Sequence, residues 1–191
     1  MGEIVSDDSL MKRIGRGDTE AFDALYRRWA RRVMAYAYRS LSDRGEAEDV
    51  VQETFLAVFR SAPRYVPRER FGAYLFRVAG NAVRSRYRKK GPVVLMDFSE
   101  QREDGMEALD EEAPFSRFEE GETMNRALER LSPDQRECLL LAAVGGLSYR
   151  EIAHEAGISE DAVAARISRA RKSLKRILSG WEREEEEKVN A

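Results

Sequence analysis

Wherever the apolar residues of this chain are patterned, they recur at intervals of three and four, the spacing of one face of a helix. Over 18–40, Phe22, Leu25, Tyr26, Trp29, Val33 and Tyr36 form such a stripe, with Arg27, Arg28, Arg31 and Arg32 mostly outside it. Ser42 or Asp43 caps a second helix, which turns Ala47, Val50, Val51, Thr54, Phe55, Val58 and Phe59 inward and stops before Pro63. The other side of that helix presents Glu46, Asp49, Gln52 and Glu53 as an acidic ridge. A third helix is predicted over about 69–90, apolar at Phe71, Tyr74, Leu75, Val78 and Val83, ending in Arg84-Ser85-Arg86-Tyr87-Arg88-Lys89-Lys90.

Gly91-Pro92 breaks this pattern, and Asp and Glu dominate until about residue 120. Helical spacing resumes with a short segment near 122–130. Ser132-Pro133-Asp134-Gln135 then starts a helix that ends at Gly145-Gly146, through a cap, a proline at the first helical position and a glutamine at the third. Ser148-Tyr149-Arg150-Glu151 is a capping box opening a short helix through Ala156. Gly157 permits a sharp turn, Ser159 caps again, and the last helix turns Val163, Ile167, Ala170, Leu174 and Ile177 inward. Helix, tight glycine turn and helix make a helix-turn-helix, whose second helix enters the DNA major groove. The expected fold is therefore all-α, with two small helical domains at 1–90 and 122–180, a flexible acidic linker at 91–121 and an acidic tail at 181–191.

Charge follows the same division. Residues 1–90 carry 19 Lys and Arg against 12 Asp and Glu, a net of +7, whereas 91–130 carry 4 against 12, a net of -8. Residues 131–180 return to +2 and the tail is -3, so the whole-chain value of -2 hides two basic blocks. Local sign governs nucleic-acid contact because salt screens charge beyond about 8–10 Å. A single cysteine, Cys138, and a single histidine, His154, make neither an internal disulfide nor an ordinary zinc site. The simplest reading of Cys138 is a small buried apolar residue, and of His154 a surface helix residue. No cofactor or metal site is expected. Nor does any nucleophile stand with a base, or any phosphate loop appear, so an enzyme is not expected. An acidic N-terminus without a hydrophobic signal core, and the lack of a run of about 18 apolar residues, point to the cytoplasm.

Two stretches, Asp43-Arg44-Gly45-Glu46-Ala47-Glu48-Asp49-Val50-Val51-Gln52-Glu53-Thr54-Phe55 and Leu147-Ser148-Tyr149-Arg150-Glu151-Ile152-Ala153, resemble the extracytoplasmic-function sigma factors, short two-domain bacterial initiation factors. The resemblance spans 17–90 and about 122–178 in order and spacing. It implies a monomer when free that carries core RNA polymerase to a promoter and helps open it, without a small-molecule substrate. By that resemblance Glu46, Asp49, Gln52 and Glu53 face the Arg-rich clamp helices of the polymerase large subunit, with a further contact at its flap. The third helix would recognise and melt the minus-ten element, with Asn81, Arg84, Arg86, Arg88, Lys89 and Lys90 supplying hydrogen bonds and charge and Tyr74 or Tyr87 a stacking surface. Tyr74, with Phe71, Leu75 and Val78, reads as a core residue ahead of a nucleobase platform. It stands where many relatives have Trp, Ser85 where they have Asp, and Arg84 where an aliphatic residue is common. The last helix would read the minus-thirty-five duplex with Ser159, Glu160, Asp161, Ala162, Ala165, Arg166, Arg169 and Lys172, the early positions reaching bases and the later cations phosphate. The connector, with Glu111, Glu112, Glu119 and Glu120, reads as a tether, or by resemblance as a segment threading the RNA-exit channel. An anti-sigma partner and a stress-response role are likewise implied. Competing readings are a sigma mimic that sequesters an anti-sigma protein, and a stand-alone helix-turn-helix regulator.

Overall fold

The structure, a computed structural model, describes residues 5–67, 70–89 and 122–189, with side chains through Arg183 in the last stretch. Lys90, the acidic connector with Glu111, Glu112, Glu119 and Glu120, and the last two residues lie outside the described residues. Every regular element among the described residues is helical: α1 (Asp7–Ile14), α2 (Thr19–Leu41), α3 (Arg44–Ser61), a single 3-10 turn (Ala62–Arg64), α4 (Phe71–Lys89), α5 (Glu122–Glu129), α6 (Pro133–Ala143), α7 (Tyr149–Ala156) and α8 (Glu160–Val189). No described helix is long and apolar enough to cross a membrane.

Local hydrogen bonds set the starts. Asp18 accepts from the backbone N–H of Ala21 at 3.0 Å to open α2, and Asp43 accepts from that of Glu46 at 2.8 Å to open α3. Asp43 is therefore the cap, and Ser42 is the left-handed link between the helices, at φ 53°. A Ser6 cap and the acidic pair Asp7 and Asp8 start α1, an element that the sequence pattern did not announce; it buries Leu10, Met11 and Ile14. Three apolar positions in eight residues are too few to declare a period.

The inward stripes hold with two exceptions. Leu25, Val33 and Tyr36 of α2, and Val50, Phe55 and Val58 of α3, are buried, but Tyr26 and Phe59 are 41% and 44% exposed. Both sit at the edge of their stripe, where an arc of alternating three and four steps outgrows the contact between two helices. In α4 the buried set is Phe71, Ala73, Leu75, Phe76, Ala79, Gly80 and Val83, while Tyr74 and Val78 are half-buried.

The second half packs Ala127, Leu128, Cys138, Leu139, Leu140, Leu141, Ile152, Val163, Ile167, Ala170 and Leu174 into its interior. α8 continues past Trp181 to Val189, so residue 180 does not end an element. Arg126 lies over the Trp181 ring, 5.3 Å from its centroid, which ties that part of α8 back to α5. The two halves touch through α2 against α5 and α6, and their buried side chains form one contiguous cluster.

Candidate nucleic-acid and partner interfaces

With Val50, Val51, Thr54, Phe55 and Val58 buried, the helical period leaves Asp49, Gln52 and Glu53 exposed on the far side of α3 and Glu46 half-buried beside them. An apolar patch adjoins this ridge. Leu56 is 47% exposed, and the rings of Tyr26 and Phe55, and of Phe22 and Phe59, pack at 4.7 and 5.5 Å. The sequence reading did not single out Leu56 and placed Tyr26 and Phe59 inside.

The ridge is also tied to α4. Arg86 donates to both carboxylate oxygens of Glu53, at 3.0 and 2.9 Å, and to the Ala82 carbonyl at 3.1 Å. Its fork holds the Glu53 carboxyl below the usual carboxylate range, and Glu53 in turn raises Arg86.

The other expected α4 residues divide by partner. The Tyr74 hydroxyl lies 2.5 Å from that of Ser61, and its ring packs against Tyr65 and Phe71 beneath the Arg77 guanidinium. Arg84 donates to Asn81, to Glu137 and, at 3.2 Å, to Glu155. Tyr87 donates to the Ser40 carbonyl, which also accepts from Arg136 at 3.0 Å. Arg88 and Lys89 are exposed.

Arg84 thus belongs to a seam between the halves. Arg70 forks onto Glu151 at 2.8 and 2.5 Å and reaches the Gly146 carbonyl at 3.2 Å. Arg77 stands 4.0 Å from Glu155, and Arg32 donates to the carbonyls of Val144 and Gly145 at 3.1 and 3.0 Å. Arg70 and the capping donors of Ser148 lower the Glu151 carboxyl to about 2. Burial raises Glu137 against the pull of Arg84. None of Arg32, Arg70, Arg136, Glu137 and Glu155 was assigned a contact role from sequence, and Glu151 only its local place in the capping box. Their partners lie up to 113 positions away, beyond any helical period.

On α8, Ser159, Glu160, Asp161, Ala165, Arg169 and Lys172 are exposed, and Ala162 and Arg166 half-buried. Ser159 spends its hydroxyl on the N–H of Ala162 at 3.1 Å. Arg166 pairs with Asp134 at 3.0 Å, and Arg169 donates to its own helix at Ala165. Gly157 supplies the turn before this helix at φ 67°, with open space around it. Cys138 is buried, which pushes its thiol up, and His154 is exposed. Among the described residues no cluster of potential metal ligands forms.

Residues 25–92 match the Sigma-70 region 2 family model and residues 122–174 the Sigma-70 region 4 model. The RNA polymerase sigma factor CarQ of Myxococcus xanthus is 36% identical over 178 residues, covering 91% of this chain and 98% of that protein. The ECF RNA polymerase sigma factor SigE of Mycolicibacterium smegmatis is 34% identical, over 83% of this chain and 62% of its own length. Among solved structures, CnrH in complex with the cytosolic domain of CnrY superposes with a TM-score of 0.65 at 26% identity, covering 91% of this chain and 97% of that one. The sigma factor RpoE from Bartonella quintana, in complex with the anti-sigma factor NepR, gives 0.64 at 26%, covering 83% and 96%.

Proposed function

This chain belongs to the extracytoplasmic-function sigma factors, the short two-domain members of the sigma-70 family, and from that membership we propose how its own residues divide the work of initiation. A sigma factor binds core RNA polymerase and promoter DNA. Residues 1–90 take the polymerase-binding and promoter-melting part here, and 122–180 the upstream duplex. The cytoplasm is the setting, and the chemistry of RNA synthesis belongs to the polymerase.

The observation that carries the polymerase assignment is the solvent face of α3. Asp49, Gln52 and Glu53 are presented on a helix whose opposite side is locked into the core, and Glu46 adds charge beside them. A fixed carboxylate ridge complements an Arg-rich helical surface, and the adjoining Tyr26, Leu56 and Phe59 offer apolar area at the same place. Replacing Glu53 with arginine should abolish binding to core polymerase while circular dichroism keeps its helical signal. Undiminished binding in a pull-down removes the assignment.

Promoter melting falls to the exposed end of α4, where Arg88 and Lys89 track phosphate, joined by Asn81, Arg84 and Tyr87 when the second half withdraws. Tyr74 serves the core around Phe71 and Tyr65 better than a nucleobase. The minus-thirty-five element would meet Glu160, Asp161, Ala162, Ala165 and Arg166 at its bases and Arg169 and Lys172 at its phosphates, with Ser159 capping the helix. An anti-sigma partner fits this reading too, since the matching RpoE was solved bound to one.

A further inference from the structure

We infer that Arg86, which lies on the helix assigned to DNA, is a positioning residue for the polymerase-binding ridge. The inference rests on the proposed role of Glu53. Two facts set Arg86 apart from Arg88 and Lys89. Its side chain is only 12% exposed, whereas that of Glu53 is 59% exposed. Its two terminal nitrogens are also engaged, both on Glu53 and one of them additionally on the Ala82 carbonyl. A guanidinium held this way reaches a phosphate only by abandoning Glu53.

The same geometry suits the carboxylate. A glutamate on a helix surface is free about three side-chain torsions, and ordering it on binding costs affinity. The planar fork of arginine fixes both oxygens at once, as a lysine cannot. Each carboxylate oxygen has a further lone pair, so the outer side of Glu53 still accepts a partner's cation. Arg86 stands behind the ridge, and Glu53 presents a preset acceptor in front of it.

Plain electrostatics predicts the opposite sign. Removing a cation from behind an acidic ridge makes the ridge more negative, which by charge alone tightens its hold on an Arg-rich partner. Positioning predicts that the hold weakens. The test measures the affinity of full-length chains for core polymerase, together with promoter opening at saturating sigma factor. Arg86→Gln should raise the Kd for core by about three- to tenfold, in line with the usual cost of freeing one such side chain. Arg86→Lys, which keeps the charge but not the fork, should fall between it and the parent. In a Glu53→Gln background, Arg86→Gln should add little further loss, because the two act as one unit. Opening at saturation should match the parent. Unchanged or tighter core binding by Arg86→Gln, in a protein whose urea midpoint is preserved, overturns the inference; so does lost opening at saturation. If Glu53→Arg also binds core normally, the ridge assignment itself has failed. If Glu53→Arg loses binding and Arg86→Gln does not, the ridge stands and only the positioning role falls.

Discussion

Two glycines share a left-handed backbone at φ 67° but sit in different surroundings. A Cβ on Gly157 would meet nothing within 4 Å, whereas one on Gly146 would lie 2.7 Å from Nη2 of Arg32. Gly157→Ala should therefore cost only the backbone penalty, about 1–2 kcal/mol in urea unfolding. Gly146→Ala carries the same penalty and displaces Arg32 from the carbonyls of Val144 and Gly145. A fluorescent donor–acceptor pair across the halves should report a longer distance for Gly146→Ala and an unchanged one for Gly157→Ala. Gly157 was legible as a turn because the flanking helices announce themselves. The contact at Gly146 was not, since no local pattern names an arginine 114 positions earlier.

Helix starts were the most readable elements. Ser132, Ser148 and Ser159 each accept from a backbone N–H three residues on, a bond written within four letters of sequence. Burial at the stripe edges was less readable, because Tyr26 and Phe59 satisfy the period and meet Phe55 and Phe22 of the neighbouring helix, yet remain exposed on their outer side. α7 gives this scale its prediction. Glu151 closes the capping box on Ser148 and also receives the fork of Arg70, so its carboxyl lies at about 2 against an ordinary 4.5. A depressed acid stabilises the folded state fully above its unfolded value and loses that contribution as pH falls from about 4.5 toward about 2. Stability measured in urea should decline through that window, and Glu151→Gln should flatten this part of the decline. A Glu151→Gln profile parallel to the parent's would show that other carboxylates carry it. Ser148→Ala should cost about 1 kcal/mol at neutral pH through the lost cap.

At the scale of the molecule, the seam pairs Arg70, Arg77 and Arg84 of the first half with Glu137, Glu151 and Glu155 of the second. The arginines are 32–65% exposed and the glutamates 11–27%, so salt weakens these pairs from the arginine side, less steeply than it would fully exposed ones. Under the DNA role proposed for Arg84, its bonds to Glu137 and Glu155 and a promoter contact exclude one another. The radius of gyration of the free chain should grow between low and high salt, and Glu137→Gln with Glu155→Gln should produce that growth at low salt. A radius indifferent to both would show that the apolar contacts of α2 with α5 and α6 hold the halves together alone. The all-helical, two-block plan was legible because each block carries its own period. Their docking was not, being a property of surfaces that meet only after both have folded. The length of α8 adds a mechanical consequence. From Trp181, pinned beneath Arg126, to Ala162 the helix runs about 29 Å at 1.5 Å per residue. Val163, Ile167 and Ala170 are buried beside that end, so α8 cannot pivot alone: any reorientation of its first turns carries α6 and α7 with it as one body.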